Sequence, residues 1–275
     1  MAFDLSMALI NATVQLEQVQ ADGSRTVGTG FLIDAPGPNG ARRTVLVTAE
    51  HVFEKMPGAE AKIGYRTENP DGSWTYAPTP LAIRNETGQE LWTRHPSRDI
   101  AVISVTAPAI FARAAIPKGW LAEDKTFQTL EVGPGDEMMA LGFPRGLSAN
   151  GAGFPILRSG RVASYPVAPA DIYPTFLLDF SVFPGNSGGP VFMSDIARRR
   201  LGAVKAPPAQ FIAGMLSQQV ELNKERLEIG IVIHAKYIRE TIALLDTPVA
   251  VPAVAVAPQV KGAKAASAET ATPER

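Results

Sequence analysis

The sequence predicts an all-β protein, and three observations support this fold class. Short segments rich in β-branched residues follow one another from about residue 12 to residue 192. Clusters of Gly, Pro, Asn and Asp separate these segments, as in β-sandwiches and β-barrels. The chain has 275 residues, enough for one large β domain or two modest ones that bury a core without disulfide or metal support.

The elements can be placed along the chain from their hydrophobic patterns. Apolar or alternating patterns predict strands at Thr13–Val19, Thr26–Ile33, Thr44–Thr48, Ile100–Val105, Met138–Leu141 and Leu227–Ile233. A helix is predicted at Ala235–Leu245, because Ile238, Ile242 and Leu245 fall on one helical face.

The composition changes after Asp246. Four prolines interrupt a segment that is rich in Ala and Val and contains no aromatic residue. Such a segment buries too little apolar surface to order itself, so residues 247–275 are predicted to be a disordered tail. The Val-Ala alternation at 249–257 leaves an edge strand as the alternative.

Charge and cysteine content exclude several classes of function. With 26 Lys and Arg against 27 Asp and Glu, the net charge is −1, so nucleic acid and membrane are not expected as partners. The absence of cysteine excludes disulfides, thiolate nucleophiles and cysteine-ligated zinc. Residues 1–10 lack a basic start and a clear cleavage site, and no stretch of 18 apolar residues occurs. A cytoplasmic location is expected, with the periplasm as the alternative.

The segment 183–192 is the first candidate for chemistry, because it places Ser187 between Gly185 and the pair Gly188 and Gly189. Glycines beside a nucleophile let the backbone turn sharply and bring its N–H groups close to a substrate carbonyl. The predicted donors are the N–H groups of Gly185 and Ser187. Taken alone, such a motif also fits a surface turn that contains a serine.

A nucleophilic serine needs a base, and the chain offers three histidines. His51 follows the apolar strand at 44–48 and is the candidate base. His95 lies in a polar segment, where an exposed histidine is expected. His234 follows Ile231–Ile233, where a structural histidine at a strand end is expected.

Asp99 is the candidate carboxylate, because it directly precedes the apolar strand at 100–105. The order His51, Asp99, Ser187 is that of chymotrypsin-type enzymes, whereas α/β-hydrolases place the serine first and follow it with a helix. Pro190 and the apolar residues after it predict a strand. An α/β-hydrolase-type esterase is therefore the weaker alternative.

Metal and phosphate sites lack the residues they require. Glu54 lies three residues after His51, but no second histidine completes a zinc-protease motif. Gly28 and Gly30 run into a strand without the Lys-Ser/Thr and helix of a phosphate-binding loop. The sequence predicts no metal site and no cofactor.

Taken together, these motifs resemble the bacterial trypsin-like serine peptidases of the chymotrypsin superfamily, particularly HtrA/Deg-like protease domains. The resemblance covers about residues 12–245 and is carried in order by Gly28–Ile33, Val47–Val52, Arg98–Val102, Gly142–Pro144, Arg158–Val162 and Asp179–Pro190. It implies a protease domain over 1–246 with two six-stranded antiparallel β-barrels, at about 12–115 and 125–234, and a helix at 235–245. The active site is expected in the cleft between the barrels.

The resemblance also implies a serine endopeptidase that acts through an acyl-enzyme on a peptide or protein substrate. Asp99 is expected to hold the imidazole, His51 to move the proton and Ser187 to attack, with Gly185 and Ser187 forming the oxyanion hole. Ser217 matches the serine that supports the triad aspartate.

Ser181, Val182 and Gly230 match positions near the primary specificity pocket, which lacks an acidic floor. Small or aliphatic side chains are therefore expected at the cleaved residue. Glu50 departs from the family, which has a small residue before the histidine. No PDZ-like segment follows the barrels, so peptide-gated assembly is not implied and the oligomeric state stays open. The alternative from another class is a catalytically silent interaction module with the same fold.

Overall fold

A computed structural model describes residues 4–195, 209–222 and 225–247 of the chain. The helices are α1 Leu5–Ala12, α2 Glu50–Glu54, α3 Ala109–Ala114, α4 Asp124–Thr129 and α5 Ala235–Leu244. The strands are β1 Thr13–Val19, β2 Arg25–Asp34, β3 Thr44–Thr48, β4 Glu60–Glu68, β5 Trp74–Ala82, β6 Thr93–Arg94, β7 Ala101–Val105, β8 Ile116–Pro117, β9 Glu137–Gly142, β10 Ile156–Val162, β11 Thr175–Asp179, β12 Pro190–Asp195, β13 Ala209–Leu222 and β14 Glu225–His234.

The first eight strands form one sheet, here called the N-terminal sheet. Its strands run in the order β5-β4-β1-β2-β3-β7-β6, and β8 adds to β2 in parallel. The central strands are the most apolar, and residues such as Phe31, Leu46 and Val47 are fully buried between them. This sheet corrects the prediction of a six-stranded first barrel, because it has eight strands and its hydrogen-bonded path does not close.

The remaining six strands form the predicted second barrel. They close in the order β10-β11-β14-β13-β12-β9, and all six neighbouring pairs are antiparallel. Pro190 at the start of β12 pairs with Met215 of β13. This pairing places the turn before β12 next to the segment of β13 that contains Ser217.

The predicted strands agree closely with the observed ones. β1 and β3 have the predicted bounds, and the ends of β2, β7, β9 and β14 differ from the predicted ones by at most two residues. Helix α5 ends one residue earlier than predicted, and its buried face includes Ile238 and Ile242. The predicted tail lies, beyond Thr247, outside the described residues.

Four short helices, α1 to α4, were not predicted. Helix α1 begins after Asp4, whose carboxylate accepts hydrogen bonds from the N–H groups of Ser6, at 3.0 Å, and Met7, and caps the helix. Helices α3 and α4 have six residues each, too few to show a helical period. No helix among the described residues is long and apolar enough to cross a membrane.

A buried arginine joins the N-terminal sheet to the barrel half. Arg66 is 1% exposed, and its guanidinium donates to the carbonyl oxygens of Ile10, Asn11, Thr13 and Gly153 at 2.9–3.1 Å. Burial lowers the pKa of Arg66 to about 10, because it removes water from the charged form. The carbonyl acceptors carry no full negative charge that would offset this loss.

Candidate active site

Ser187 lies in a tight turn directly before β12, as its glycine-rich sequence predicts. Gly185 has φ +96° and Gly188 has φ +89°, a backbone conformation that side chains disfavour. A Cβ at Gly185 would lie 2.3 Å from the Phe143 carbonyl oxygen, and one at Gly188 would lie 2.0 Å from the Thr29 carbonyl oxygen. Glycine is therefore required at both positions for the turn to pack against its neighbours.

The turn leaves two of its N–H groups unused. The N–H of Asn186 donates to Phe183, that of Gly188 to Leu216 and that of Gly189 to Asn186, at 2.8–3.0 Å. The N–H groups of Gly185 and Ser187 make no hydrogen bond within the described part of the chain. They are the two groups predicted to bind a substrate oxygen.

Thr29 of β2 fixes this turn to the N-terminal sheet. Its hydroxyl donates to the Gly185 carbonyl at 2.6 Å and accepts from the Phe143 N–H at 3.1 Å, while its own N–H donates to the Ser187 carbonyl at 2.9 Å. Thr29 is fully buried. The role of Thr29 was not predicted, although a threonine between two glycines in an apolar strand is a signal of close backbone packing.

His51 lies in the first turn of the short helix α2, which follows β3 directly. The helix packs directly on β2, because a Cβ at Gly28 would lie 2.3 Å from the side chain of Val52. Arg84 holds the other end of α2, since its guanidinium donates to the carbonyls of Phe53, Met56 and Gly58. The same guanidinium stacks on Trp92, with Cζ 5.0 Å from the ring centroid. Arg84 is a second positioning residue that the sequence did not reveal.

The predicted histidine and carboxylate form a closely bonded pair. His51 Nδ1 lies 2.7 Å from Asp99 Oδ2, and the His51 N–H donates to Asp99 Oδ1 at 3.0 Å. The Ser217 hydroxyl donates to Asp99 Oδ2 at 2.5 Å. Asp99 therefore accepts three hydrogen bonds, and Ser217 supports the carboxylate as expected.

These bonds keep Asp99 ionised. Burial by itself raises the pKa of this carboxyl, but the His51 ring, the Ser217 hydroxyl and the His51 N–H outweigh burial and lower the pKa to about 2. A carboxylate that is charged throughout the neutral range can hold the Nδ1–H tautomer of His51, which leaves Nε2 free to accept a proton.

His51, Asp99 and Ser187 line one open cleft of about 780 Å³. The side chains of His51 and Asp99 are 25% and 27% exposed, so the pair faces the cleft. Within the described residues, no hydrogen bond joins the Ser187 hydroxyl to His51. Apo active sites often show this bond as long or poorly aligned, and it shortens when a substrate binds.

The residues predicted to lie near the specificity pocket are found in the barrel half. Val182 is 3% exposed and lines the cleft. A Cβ at Gly230 would lie 3.0 Å from Phe180 Cε1, 3.0 Å from Val182 Cγ2 and 3.2 Å from Leu216 Cδ1. Ser181 is half-buried beside Val182. The wall around Gly230 is thus built from apolar side chains.

Glu50 lies in the same cleft and is paired. Its carboxylate accepts a hydrogen bond from Arg94 Nη1 at 3.1 Å. Burial raises the pKa of Glu50, and the Arg94 guanidinium partly opposes the rise. The acidic residue before His51 is therefore held by a cation on β6.

The other two histidines serve the packing. His95 was predicted to be exposed, but only 8% of its surface is exposed. It is buried because Nε2 lies 3.2 Å from Glu240 Oε2 and the ring packs edge-on against Tyr237. His234 ends β14 as predicted and lies between Phe127 and Phe176, with ring centroids 4.8 and 5.0 Å away.

The chain matches a known protein family. A family model for the trypsin-like peptidase domain matches residues 28–197, more than half of the chain. Curated proteins yield no match.

Two solved structures show a similar fold. The HtrA-type protease AlgW, solved with a tripeptide, is 17% identical and has a TM-score of 0.53 over 90% of this chain. The active form of the Rv3671c protease from M. tuberculosis is 18% identical and has a TM-score of 0.50, and the match covers 87% of this chain and 82% of that protein. The chain spans 64% of the length of the AlgW structure. At this identity the likeness concerns the fold alone, and it confirms the predicted chymotrypsin-like class.

Proposed function

Because the chain belongs to the trypsin-like peptidases, a family of serine endopeptidases, we propose that it hydrolyses peptide bonds through an acyl-enzyme formed on Ser187. The observation that carries the proposal is the His51–Asp99 pair, joined at 2.7 Å in the cleft that Ser187 also lines. A bonded histidine and carboxylate next to a glycine-flanked serine are the parts that serine acyl transfer needs.

In the proposed mechanism, Ser187 Oγ attacks the carbonyl carbon of the scissile bond. His51 Nε2 takes the hydroxyl proton as the new C–O bond forms, and Asp99 stabilises the resulting imidazolium. His51 then gives the proton to the leaving amine as the peptide C–N bond breaks. Water attacks the acyl-enzyme in the same way and releases the second product.

The oxygen of the tetrahedral intermediate would bind to the N–H groups of Gly185 and Ser187. Preorganised donors of this kind lower the barrier by about 3 kcal/mol each in related chemistry. Their fixed position depends on Thr29, whose hydroxyl holds the Gly185 carbonyl on the opposite side of the turn.

The specificity pocket is proposed to take small or aliphatic side chains. The support is the apolar wall of Phe180, Val182 and Leu216 around Gly230. In a series of fluorogenic peptides that differ only at the cleaved residue, we expect Val and Ala to give a higher kcat/KM than Lys or Glu. A clear preference for Lys or Glu would contradict this pocket assignment.

A fluorophosphonate probe tests the proposed nucleophile directly. We expect the wild type to be labelled and to cleave casein, and Ser187→Ala to lose both properties. Exposed Ser159 on β10 provides the control, because Ser159→Ala should be labelled like the wild type. Labelling that survives Ser187→Ala would refute the nucleophile. An intact wild type that is neither labelled nor active would favour the silent interaction module.

A further inference from the structure

Two arginines stack on one aromatic ring in the cleft. Phe183 lines the cleft two residues before Gly185. Arg145 Cζ lies 5.6 Å and Arg158 Cζ 5.4 Å from the centroid of the Phe183 ring, within the range of cation–π attraction. Arg158 Cζ also lies 5.9 Å from the centroid of Phe180. The ring therefore holds two positive charges close together.

No carboxylate of the described residues neutralises either charge. Within the described part of the chain, no carboxylate forms an ion pair with Arg145 or Arg158, and no carbonyl accepts a hydrogen bond from either guanidinium. The cation of Arg94 in the same cleft is instead paired with Glu50. Two like charges that share one ring repel each other, and an anion from outside would remove this cost.

The pair is fixed to the turn that contains Ser187. The Arg145 N–H donates to the Pro184 carbonyl at 2.6 Å, and Arg145 has φ +53°, an unusual value for a residue with a side chain. Strained backbone of this kind persists only where the surroundings hold it, and it is concentrated at functional sites. Arg145 is exposed, while Arg158 is half-buried.

We propose that Arg145 and Arg158 select substrates that carry an acidic side chain within about three residues of the scissile bond, at a position other than the cleaved residue. The inference rests on the proposed peptidase function. A guanidinium presents parallel N–H groups that match a carboxylate, and bonds between these charged groups are stronger than neutral ones. The net charge of −1 creates no general attraction for anions, so the selection is local.

A library of synthetic peptides with balanced composition locates the acidic position. The wild type cleaves the library, and mass spectrometry identifies the cut sites. We expect Asp and Glu to be enriched within three residues of the cuts. The enriched position then defines two internally quenched peptides that differ only by Glu against Gln.

The ratio of kcat/KM for the Glu peptide to that for the Gln peptide is the decisive quantity. We expect a ratio of roughly tenfold for the wild type, the scale of one charge-assisted hydrogen bond. The double variant Arg145→Gln, Arg158→Gln should bring the ratio close to one. Lysine at both positions should keep a ratio above one, because it keeps the charges. Arg113→Gln, which changes an exposed arginine of α3, should keep the wild-type ratio.

Two results would overturn the inference while leaving the peptidase function intact. One is cleavage of both peptides by the wild type at equal kcat/KM. The other is a preference for Glu that survives in the double glutamine variant. If the wild type cleaves neither the library nor casein, the proposed function fails and this inference fails with it.

Discussion

Asp99 shows how single side chains set the chemistry of the cleft. It lies partly buried, where a carboxylate loses solvation, and it is kept charged by three donors from His51 and Ser217. The Ser217 hydroxyl is the donor that can be removed without disturbing the histidine ring. It therefore offers a test of support for Asp99 that leaves all three proposed triad residues in place.

Ser217→Ala is expected to lower kcat while changing KM little. Loss of the hydroxyl removes one hydrogen bond to a charged group, worth about 1.5–3 kcal/mol, and weakens the hold on the His51 imidazolium. Steady-state kinetics on a fluorogenic peptide measure the effect. Ser73 provides a matched control, because its hydroxyl donates to Asp71 at 2.6 Å on an exposed turn. Equal kcat in Ser217→Ala and Ser73→Ala would contradict the supporting role.

Thr29→Val tests the contact between β2 and the turn that contains Ser187. Valine keeps the shape of threonine but leaves the Gly185 carbonyl and the Phe143 N–H without their partner. We expect the free energy of unfolding to fall by about 1–3 kcal/mol and kcat to fall as well. The control is Thr13→Val, which removes a buried hydroxyl bonded to the Leu9 carbonyl at 2.7 Å. It should lose similar stability, measured by urea denaturation, and retain its kcat.

At the scale of elements, helix α2 depends on its neighbours for its existence. Five residues are too few for a helix to be stable in isolation. Its position comes from Val52 packing on Gly28 and from Arg84, which binds the carbonyls at its C-terminal end. Since His51 lies in this helix, the position of the histidine is set by contacts distant in sequence.

Arg84→Met is expected to destabilise α2 and to displace His51. Three carbonyl oxygens lose a charged donor, so the free energy of unfolding should fall by about 2 kcal/mol. The rate of fluorophosphonate labelling at Ser187 should fall by more than that loss of stability explains. The measurement combines denaturant unfolding with labelling kinetics at a temperature where the variant is folded. Unchanged labelling in a destabilised variant would show that Arg84 has only a structural role.

The strands were predictable because each carries its own periodic or apolar pattern. The segment Thr44–Thr48 is apolar and β-branched, and it forms β3 with those bounds. Helices α2, α3 and α4 span no more than two turns, which is too short for a helical period to be recognised. The eight-stranded first sheet was missed because strand partners and sheet closure depend on contacts between distant segments.

The candidate site was predictable to the extent that its chemistry resides in motifs. The order of His51, Asp99 and Ser187 selected His51 as the candidate base, and His51 Nδ1 lies 2.7 Å from Asp99 Oδ2. Thr29 and Arg84 were missed, because they act through backbone atoms of segments that are distant in sequence. The burial of His95 depends on helix α5, some 140 residues later in the chain.

At the scale of the whole molecule, stability is expected to depend on pH through His234. Burial lowers the pKa of this histidine to about 4 from the ordinary value of 6.5, although Asp124 opposes the change. Between these values the unfolded chain binds a proton that the folded chain does not bind. Stability is therefore lost as the pH falls from about 6.5 to about 4, by up to about 3 kcal/mol.

Urea denaturation at a series of pH values measures this loss. His234→Phe removes the titrating group while keeping an aromatic ring beside Phe127 and Phe176. Its free energy of unfolding should change less steeply with pH in this window, whatever its absolute value. The contribution of Asp99 is separate, because a folded pKa of about 2 places the loss of that stabilisation below about pH 4. An unchanged slope in His234→Phe would contradict the assignment.

The hydrogen bond between the Thr29 hydroxyl and the Gly185 carbonyl ties the turn that contains Ser187 to both halves of the molecule. A small separation of the two halves breaks this contact while each sheet keeps its own backbone hydrogen bonds. The value of kcat should therefore report whether the contact between the two halves is intact. As denaturant is added, kcat should decline at a lower concentration than the circular dichroism signal. Enzyme assays and spectroscopy would then give different unfolding curves for the same sample.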